Sequence, residues 1–357
     1  MQCDELTACN GAQPHPPEQK NPKDMPWQNN NRDLPDYVGG QEWVLPDKNF
    51  LPAYLRLFEQ NPDEFKERRD KAYDLLASCT ACPRMCRVNR LENEYGVCRS
   101  GRYAAVCSAF PHLGEEDGLR GWMGSGTIFF SFCNLKCVFC QNHEISWRGQ
   151  GALHDAGELA RLMLSLQEQG CHNINFVTPE HVVPQLMEAV PLAIELGLRI
   201  PIVYNTSAYD SMDSLELMDG IVDIYMPDFK YWDKEKARMY LGAEDYPDVA
   251  KSAFREMQRQ VGPLRFDGNG LAKRGLLVRH LVMPGETDDA RQIFRFLANE
   301  ISRDTWINIM DQYHPDGQVL RKPGKYSRIN RGITSDEFLD ACHAASDEGL
   351  YRFDTRR

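Results

Sequence analysis

The strongest constraint on the fold is an alternation that begins after Gly118, in which short runs of β-branched and aromatic residues are each followed by an amphipathic helical stretch. The runs are TIFFSF at 127–132, INFV at 174–177, PIVYN at 201–205, IVDIYM at 221–226, GLLVRHLV at 275–282 and WINIM at 306–310. Helical spacing of apolar residues falls between them at 155–169, 182–196, 211–218, 246–261 and 286–301, and again at 334–348. Strands alternating with helices imply right-handed βαβ units and a parallel sheet, because a parallel neighbour can be reached only by a crossover. Six units are fewer than the eight of a closed barrel, so the expected fold class is α/β, a partial (β/α)6 barrel over 119–350. On such folds, chemistry sits at the carboxyl ends of the strands.

The chain before this barrel reads differently. Residues 1–48, with PHPPEQKNPKDMPW and QNNNRDLPD, are rich in Pro, Asn and charge and lack apolar periodicity, which predicts an irregular arm. Residues 49–118 read as a small module: helical spacing over 51–76, broken near Asn61-Pro62, leads into a cysteine cluster. With 357 residues and 42% hydrophobic content the chain can bury a substantial core. Its net charge of -11 repels a phosphate backbone and argues against nucleic acid or an anionic membrane as partner. An uncharged apolar run of about 18 residues is missing, as is a basic leader followed by an apolar stretch, so we expect a cytoplasmic protein without a membrane span.

The twelve cysteines are unevenly spread, which suits ligation better than a disulfide scaffold. Three form Cys133-x3-Cys137-x2-Cys140, directly after the first strand of the alternation. Three thiolates can hold three irons of a cubane cluster and leave one iron open, whereas structural zinc requires four closed ligands, here available only if His143 joins. Four more form Cys79-x2-Cys82-x3-Cys86-x11-Cys98, enough to close a zinc site or a second iron–sulfur cluster. Arg84, Arg87, Arg90, Arg99 and Arg102 crowd this module, to offset its thiolates, to dock an anionic substrate or reductant, or simply as solvated charge. Cys3, Cys9, Cys107, Cys171 and Cys342 follow no ligand spacing and read as small hydrophobes or tail thiols.

The segment SFCNLKCVFCQN resembles the CxxxCxxC signature of the radical S-adenosylmethionine (SAM) superfamily. Within it the chain resembles the pyruvate formate-lyase activating enzyme group, in a branch of uncharacterised activase-like iron–sulfur proteins. The likeness runs over roughly 79–340 through CTACPRMCRVNRLENEYGVCRSG, INFVTPEHVVPQ, PIVYNTSAYD, DIYMPDFKYWD, LLVRHLVMPG and INIMDQYHP. The resemblance implies an oxidoreductase in which Cys133, Cys137 and Cys140 hold a [4Fe–4S] cluster whose open iron chelates SAM. Reductive cleavage of SAM then gives a 5'-deoxyadenosyl radical that removes hydrogen from substrate. It further implies that Phe139 packs on adenine, with Asn142 beside it, and that Thr178 and Glu180 meet the methionyl ammonium. Thr178-Pro179-Glu180 stands where the family usually has Gly-Gly-Glu.

By the same resemblance Asp228 and Lys230 flank the cofactor, Arg279 faces its carboxylate, and His314 lies on the ribose side. Asn205, Thr206, Met226 and Asp228 match an activase monovalent-cation site, with Asn205 replacing a carboxylate. A reductant such as flavodoxin or ferredoxin is implied as partner, and the substrate class extends over a glycyl-radical protein, another protein or peptide, and a small molecule. Two other classes are compatible with cysteine clusters: a non-catalytic electron carrier or metal scaffold with both sites closed, and a zinc hydrolase, against which stands the absence of HExxH.

Overall fold

The computed structural model describes residues 34–46 and 50–354. Most of the expected arm, together with Cys3 and Cys9, lies outside the described residues. The strands are β1 (Ala104–His112), β2 (Ser125–Phe130), β3 (Ala152–His154), β4 (Ile174–Val177), β5 (Ile202–Thr206), β6 (Ile224–Pro227), β7 (Arg265–Phe266), β8 (Ala272–Leu281), β9 (Trp306–Met310) and β10 (Arg352–Phe353). They form one sheet in the order β10-β9-β8-β6-β5-β4-β2-β1-β3, with β7 paired off this path to β8. From β2 through β10 every neighbouring pair on that path is parallel, whereas β1 and β3 run antiparallel at the β2 side. The six strands expected from the alternation are β2, β4, β5, β6, β8 and β9.

β1 was not expected, and its sequence explains why: AAVCSAFPH is short of β-branched residues and carries Pro111. Its pairing to β2 brings the sheet back to residue 104, inside the stretch read as the N-terminal module. The helical stretch expected at 286–301 divides into an α-helix, Thr287–Phe296, and a π turn, Leu297–Ile301. Two helices begin with reciprocal capping boxes, Asp155 with Glu158 and Thr334 with Glu337, which satisfy backbone N–H groups that would otherwise lack partners.

Two apolar layers hold the sheet. The outer layer packs strand residues such as Phe176, Tyr204, Tyr225 and Ile307 against helix residues such as Leu159, Met163, Leu186, Phe254 and Phe294. The inner layer is smaller: Val203, Ile224, Met226, Leu277 and Trp306, on alternate positions of adjacent strands, meet Leu264, Phe266, Val38 and Trp43. Val38 and Trp43 belong to two short 3-10 turns of residues 34–46, so that segment packs into the amino-terminal end of the barrel. Its backbone is tied there by Leu45 N–H to Phe266 O at 2.7 Å and by Trp306 Nε1 to Tyr37 O at 2.9 Å. The sheet curls enough for adjacent residues to bridge it: Asn175 of β4 donates to Glu115 at 3.2 Å and Asn308 of β9 donates to Glu116 at 2.8 Å.

The helices before the cysteine module, Ala53–Gln60 and Pro62–Ala77, are fastened by a buried acid. Asp223 accepts from Ala53 N–H at 2.8 Å and from Ile202 N–H at 3.0 Å, joining a helix amino terminus to the start of β5.

His172, on the turn before β4, fixes the entry to β2. Its Nε2 accepts from Trp122 N–H at 3.3 Å and Met123 N–H at 3.2 Å. Burial, with Lys273 adding to it, lowers its pKa from 6.5 to about 4, and both bonds need the unprotonated nitrogen. A depressed folded-state pKa gives stabilisation that is complete above the unfolded value of 6.5 and lost as the pH falls through about 4. The unfolding free energy, measured by urea titration across that interval, should fall with pH in the wild type and fall less steeply in His172→Gln. Equal slopes would remove His172 from the account.

Candidate active site

The site is built at the carboxyl ends of β2, β4, β5, β6, β8 and β9. Where β2 ends, Phe132 turns the chain sharply at φ 69° and donates to Ile145 O at 2.9 Å. The following cysteine loop is pinned to the end of the Lys234–Leu241 helix by Lys136 N–H to Leu241 O at 3.0 Å and Val138 N–H to Tyr240 O at 2.9 Å. Asn134, fully buried, donates to Tyr209 O at 2.7 Å. Phe139 is buried edge-on against Tyr231 and Tyr313, with ring centroids 6.2 and 6.1 Å away.

Burial pushes the Cys137 thiol up to about 12 and the Cys133 thiol well above its usual range, the latter also through Glu180 and the two neighbouring cysteines. A bound metal reverses that preference, since thiolates are the ligating form. Among the described residues no three or more His, Cys, Asp or Glu side chains converge at metal-ligand spacing. The donor set nevertheless suits an iron–sulfur cluster: three cysteines fall within eight residues of one loop, and the charge of a buried carboxylate reaches Cys133. That carboxylate is Glu180. Its Oε1 accepts from Thr206 Oγ1 at 2.9 Å and from Ser207 N–H and Oγ at 2.6 Å, while buried Oε2 has no hydrogen-bond partner.

The Glu180 anchor continues into a buried relay. Thr206 Oγ1 also meets Asp210 at 2.6 Å, and Tyr204 OH donates to Asp210 at 2.8 Å. A hydroxyl has one hydrogen, so with two carboxyls on Thr206 one of them must carry a proton. Burial raises both carboxyls, and the adjoining Glu180 helps push Asp210 well above the usual carboxylate range. Thr178 opens this strand end at φ 58°, a left-handed backbone that a β-branched residue adopts only under strain and that the family's glycine adopts freely.

At the ends of β6 and β8, Asp228 accepts from Lys230 Nζ at 2.6 Å and Arg279 Nε at 2.9 Å, and Arg279 Nη2 donates to Asn205 Oδ1 at 2.8 Å. Burial alone would raise the Asp228 pKa, but Arg279 and Lys230 outweigh it and hold the acid below its ordinary value. These groups line a cavity of about 260 Å³ together with Cys137, Phe139, Cys140 and Asn142. It adjoins a lumen of about 930 Å³, sharing Asn142, Arg279, Met310 and Gln312 with it. Asn205 lines only the lumen.

Thr178, Glu180 and His314 line neither cavity. His314 is exposed, with Nδ1 near its neighbour's carbonyl, Pro315 O, at 3.3 Å. The lumen instead holds residues that sequence reasoning passed over: His112, Glu115, Glu116 and Asn308. The only written signal was the acidic run after Gly114, which composition cannot distinguish from a solvated turn. Glu115 is held below its usual pKa against its burial, by His112 and Arg279, while burial and Glu115 raise Glu116.

The four-cysteine loop is compact. Cys79, Cys82 and Cys98 are buried and Cys86 half-buried, none of them in a disulfide. Met85, Arg87, Asn93 and Arg99 take left-handed backbone, winding tight turns. Cys86 Sγ lies 2.6 Å from where a Cβ on Gly96 would stand, so only glycine fits there. Buried Arg90 donates to Cys79 Sγ at 3.9 Å and to His181 O at 2.8 Å, and Arg84 donates to Asn134 O at 2.8 Å. The loop is therefore locked to both the β4 end and the three-cysteine loop.

Comparison with known proteins agrees with this geometry. Residues 127–297 match the model of the radical SAM superfamily. The chain is 30% identical over 287 residues to the uncharacterized protein MJ0674 of Methanocaldococcus jannaschii, spanning 78% of this chain and 77% of that one. The chain therefore carries a radical SAM superfamily domain over 127–297, a family that implies a [4Fe–4S] cluster and SAM. Among solved structures it is similar to Streptococcus suis SuiB bound to precursor peptide SuiA, at 13% identity and a TM-score of 0.41, covering 60% of this chain and 43% of that one. Methylornithine synthase (PylB) matches at 13% identity and a TM-score of 0.40, covering 62% of each chain. The chain thus spans under two thirds of either solved protein.

Asp228→Asn leaves Lys230 and Arg279 without their common acid and should cost about 3 kcal/mol in urea unfolding. Asn205→Ala, which removes one neutral acceptor from Arg279, should cost about 1 kcal/mol. Equal losses would show that the acid is not what organises this end of the barrel.

Proposed function

We propose that the chain removes a hydrogen atom from a segment of a protein or peptide that enters the lumen, as a glycyl-radical activating enzyme does. The observation that supports this is the pair of adjoining cavities: a small one beside Cys137 and Cys140, and a larger one whose rim residues Asp311, Gln312, Thr334, Ser335 and Leu339 are exposed. An open rim suits a polypeptide, which must enter and leave without being enclosed. When bound, the cluster and SAM supply a 5'-deoxyadenosyl radical by one-electron reductive cleavage. Cys133, Cys137 and Cys140 would hold three irons. Arg279 would direct its fork at the methionyl carboxylate, Lys230 and Asp228 would flank the cofactor, and Phe139 and Asn142 would border its adenosine. Glu180, through the oxygen left free by Ser207 and Thr206, would accept from the methionyl ammonium, and Thr178 would support it. His314 keeps its proposed place on the ribose side only if the 311–315 turn brings it inward.

The four-cysteine loop is proposed as a second metal site, iron–sulfur or zinc, held by Cys79, Cys82, Cys86 and Cys98. Its fit rests on the Gly96 clearance beside Cys86 and on Arg90 against Cys79.

Reconstituted protein given dithionite and SAM should release 5'-deoxyadenosine and methionine, and Cys137→Ala should release neither. Iron and zinc analysis should show Cys137→Ala losing the catalytic cluster's iron and Cys82→Ala losing only the second metal. An intact cluster that yields no 5'-deoxyadenosine would overturn the reading.

A further inference from the structure

The sulfur of Cys140 meets a side-chain hydroxyl: its Sγ lies 3.1 Å from Ser146 Oγ. Helical serines elsewhere in the chain return the hydroxyl to the carbonyl four residues earlier, Ser252 Oγ to Asp248 O at 3.1 Å and Ser346 Oγ to Cys342 O at 3.2 Å. Ser146 ends the helical turn His143–Ser146 and has Asn142 O available in the same way. Its N–H goes there, at 2.9 Å, but its hydroxyl goes to the sulfur.

Between a thiol and a hydroxyl either atom can give the hydrogen. A cysteine that ligates iron is a thiolate with no hydrogen to give, so in the loaded protein Ser146 donates and Cys140 accepts. Cys133 Sγ accepts from Leu135 N–H at 3.3 Å, a bond that comes with the backbone whatever the side chain there. The bond to Cys140, by contrast, exists through one side chain.

The turn is fixed without help from that hydroxyl. Phe132 N–H holds Ile145 O at 2.9 Å, Trp147 Nε1 donates to Cys137 O at 3.3 Å, and the His143 ring stacks on Trp147 with centroids 5.3 Å apart. Ser146 lines neither the cavity beside Cys137 and Cys140 nor the lumen, so it borders neither of the spaces given above to SAM and substrate.

We infer that Ser146 is a positioning residue that acts through Cys140 to raise the reduction potential of the catalytic cluster. The inference rests on the radical SAM reading. Reduction adds one electron to the cluster and transfers no atom. Part of the added charge falls on the thiolate sulfurs, so a hydrogen bond donated to one of them stabilises the reduced form more than the oxidised form. Burial of Cys133 and Cys137, with the charge of Glu180 at Cys133, opposes negative charge on those sulfurs and works in the other direction. Ser146 offsets part of that, and the cluster accepts its electron at a less negative potential than burial alone would set.

The test is a redox titration of reconstituted full-length protein before SAM is added, with dithionite as reductant, following the electron paramagnetic resonance signal that Cys137→Ala lacks. At a fixed applied potential the ratio of reduced to oxidised cluster should be about ten-fold lower in Ser146→Ala than in the wild type, a midpoint about 59 mV more negative for a one-electron couple. Ser146→Thr, which keeps the hydroxyl, should return the midpoint to the wild-type value. After exchange into D2O, pulsed resonance should show one coupled deuteron fewer in Ser146→Ala than in the wild type. Equal midpoints in wild type and Ser146→Ala, or a Ser146→Thr midpoint displaced as far as that of Ser146→Ala, overturns the inference. A wild-type cluster that titrates normally but yields no 5'-deoxyadenosine when SAM is added would instead overturn the radical SAM reading, so the two failures are separable.

Discussion

Asp228 is the point at which this molecule's architecture becomes chemistry. It stands one residue past β6, paired across to Arg279 of β8, and it pairs with two largely buried cations, offsetting the desolvation that opposes their charge. A buried carboxylate with two hydrogen-bonded cations is stable only if the backbone delivers all three to one spot. The parallel sheet does so, because adjacent strand ends arrive together on the same side. The same register brings Asn205 to Arg279 and sets the smaller cavity directly against the lumen.

Beneath that polar layer the barrel interior is apolar and filled. Val203, Ile224, Leu277 and Trp306 fill the amino-terminal end with help from Val38 and Trp43. The two layers divide the work: the lower one supplies hydrophobic burial, and the upper one accepts the cost of buried charge at the place where charge is useful. The Cys133–Cys140 loop and the four-cysteine loop are fixed to this frame by hydrogen bonds from Arg84, Arg90 and Asn134 rather than by packing alone.

Much of this was legible in the sequence because the relevant signals are local. INFV and WINIM delimit β4 and β9 residue for residue, since a short β-branched run flanked by helical spacing has few alternatives. The three-cysteine spacing likewise singles out the loop after β2 on which the proposed cluster depends. β1 was not legible, because AAVCSAFPH gains its strand character only from pairing with β2 on one side and β3 on the other. Glu115 and Glu116 were missed for a similar reason. An acidic pair in a turn becomes a lumen feature only when the sheet curls and Asn175 and Asn308 arrive from distant strands. Conversely, the position of His314 in sequence suggested a ribose contact, but the side chain's surroundings depend on a turn whose course no motif specifies.

The central claim is that Cys133, Cys137 and Cys140 leave one iron open toward the cavity lined by Asp228, Lys230 and Arg279. Electron paramagnetic resonance of the reduced, reconstituted protein tests it most directly, with Cys82→Ala used so that any second cluster does not contribute. The account predicts that adding SAM changes the g values of the catalytic cluster, because the methionyl group becomes a ligand. A signal that is the same with and without SAM would mean a closed cluster and would contradict the account.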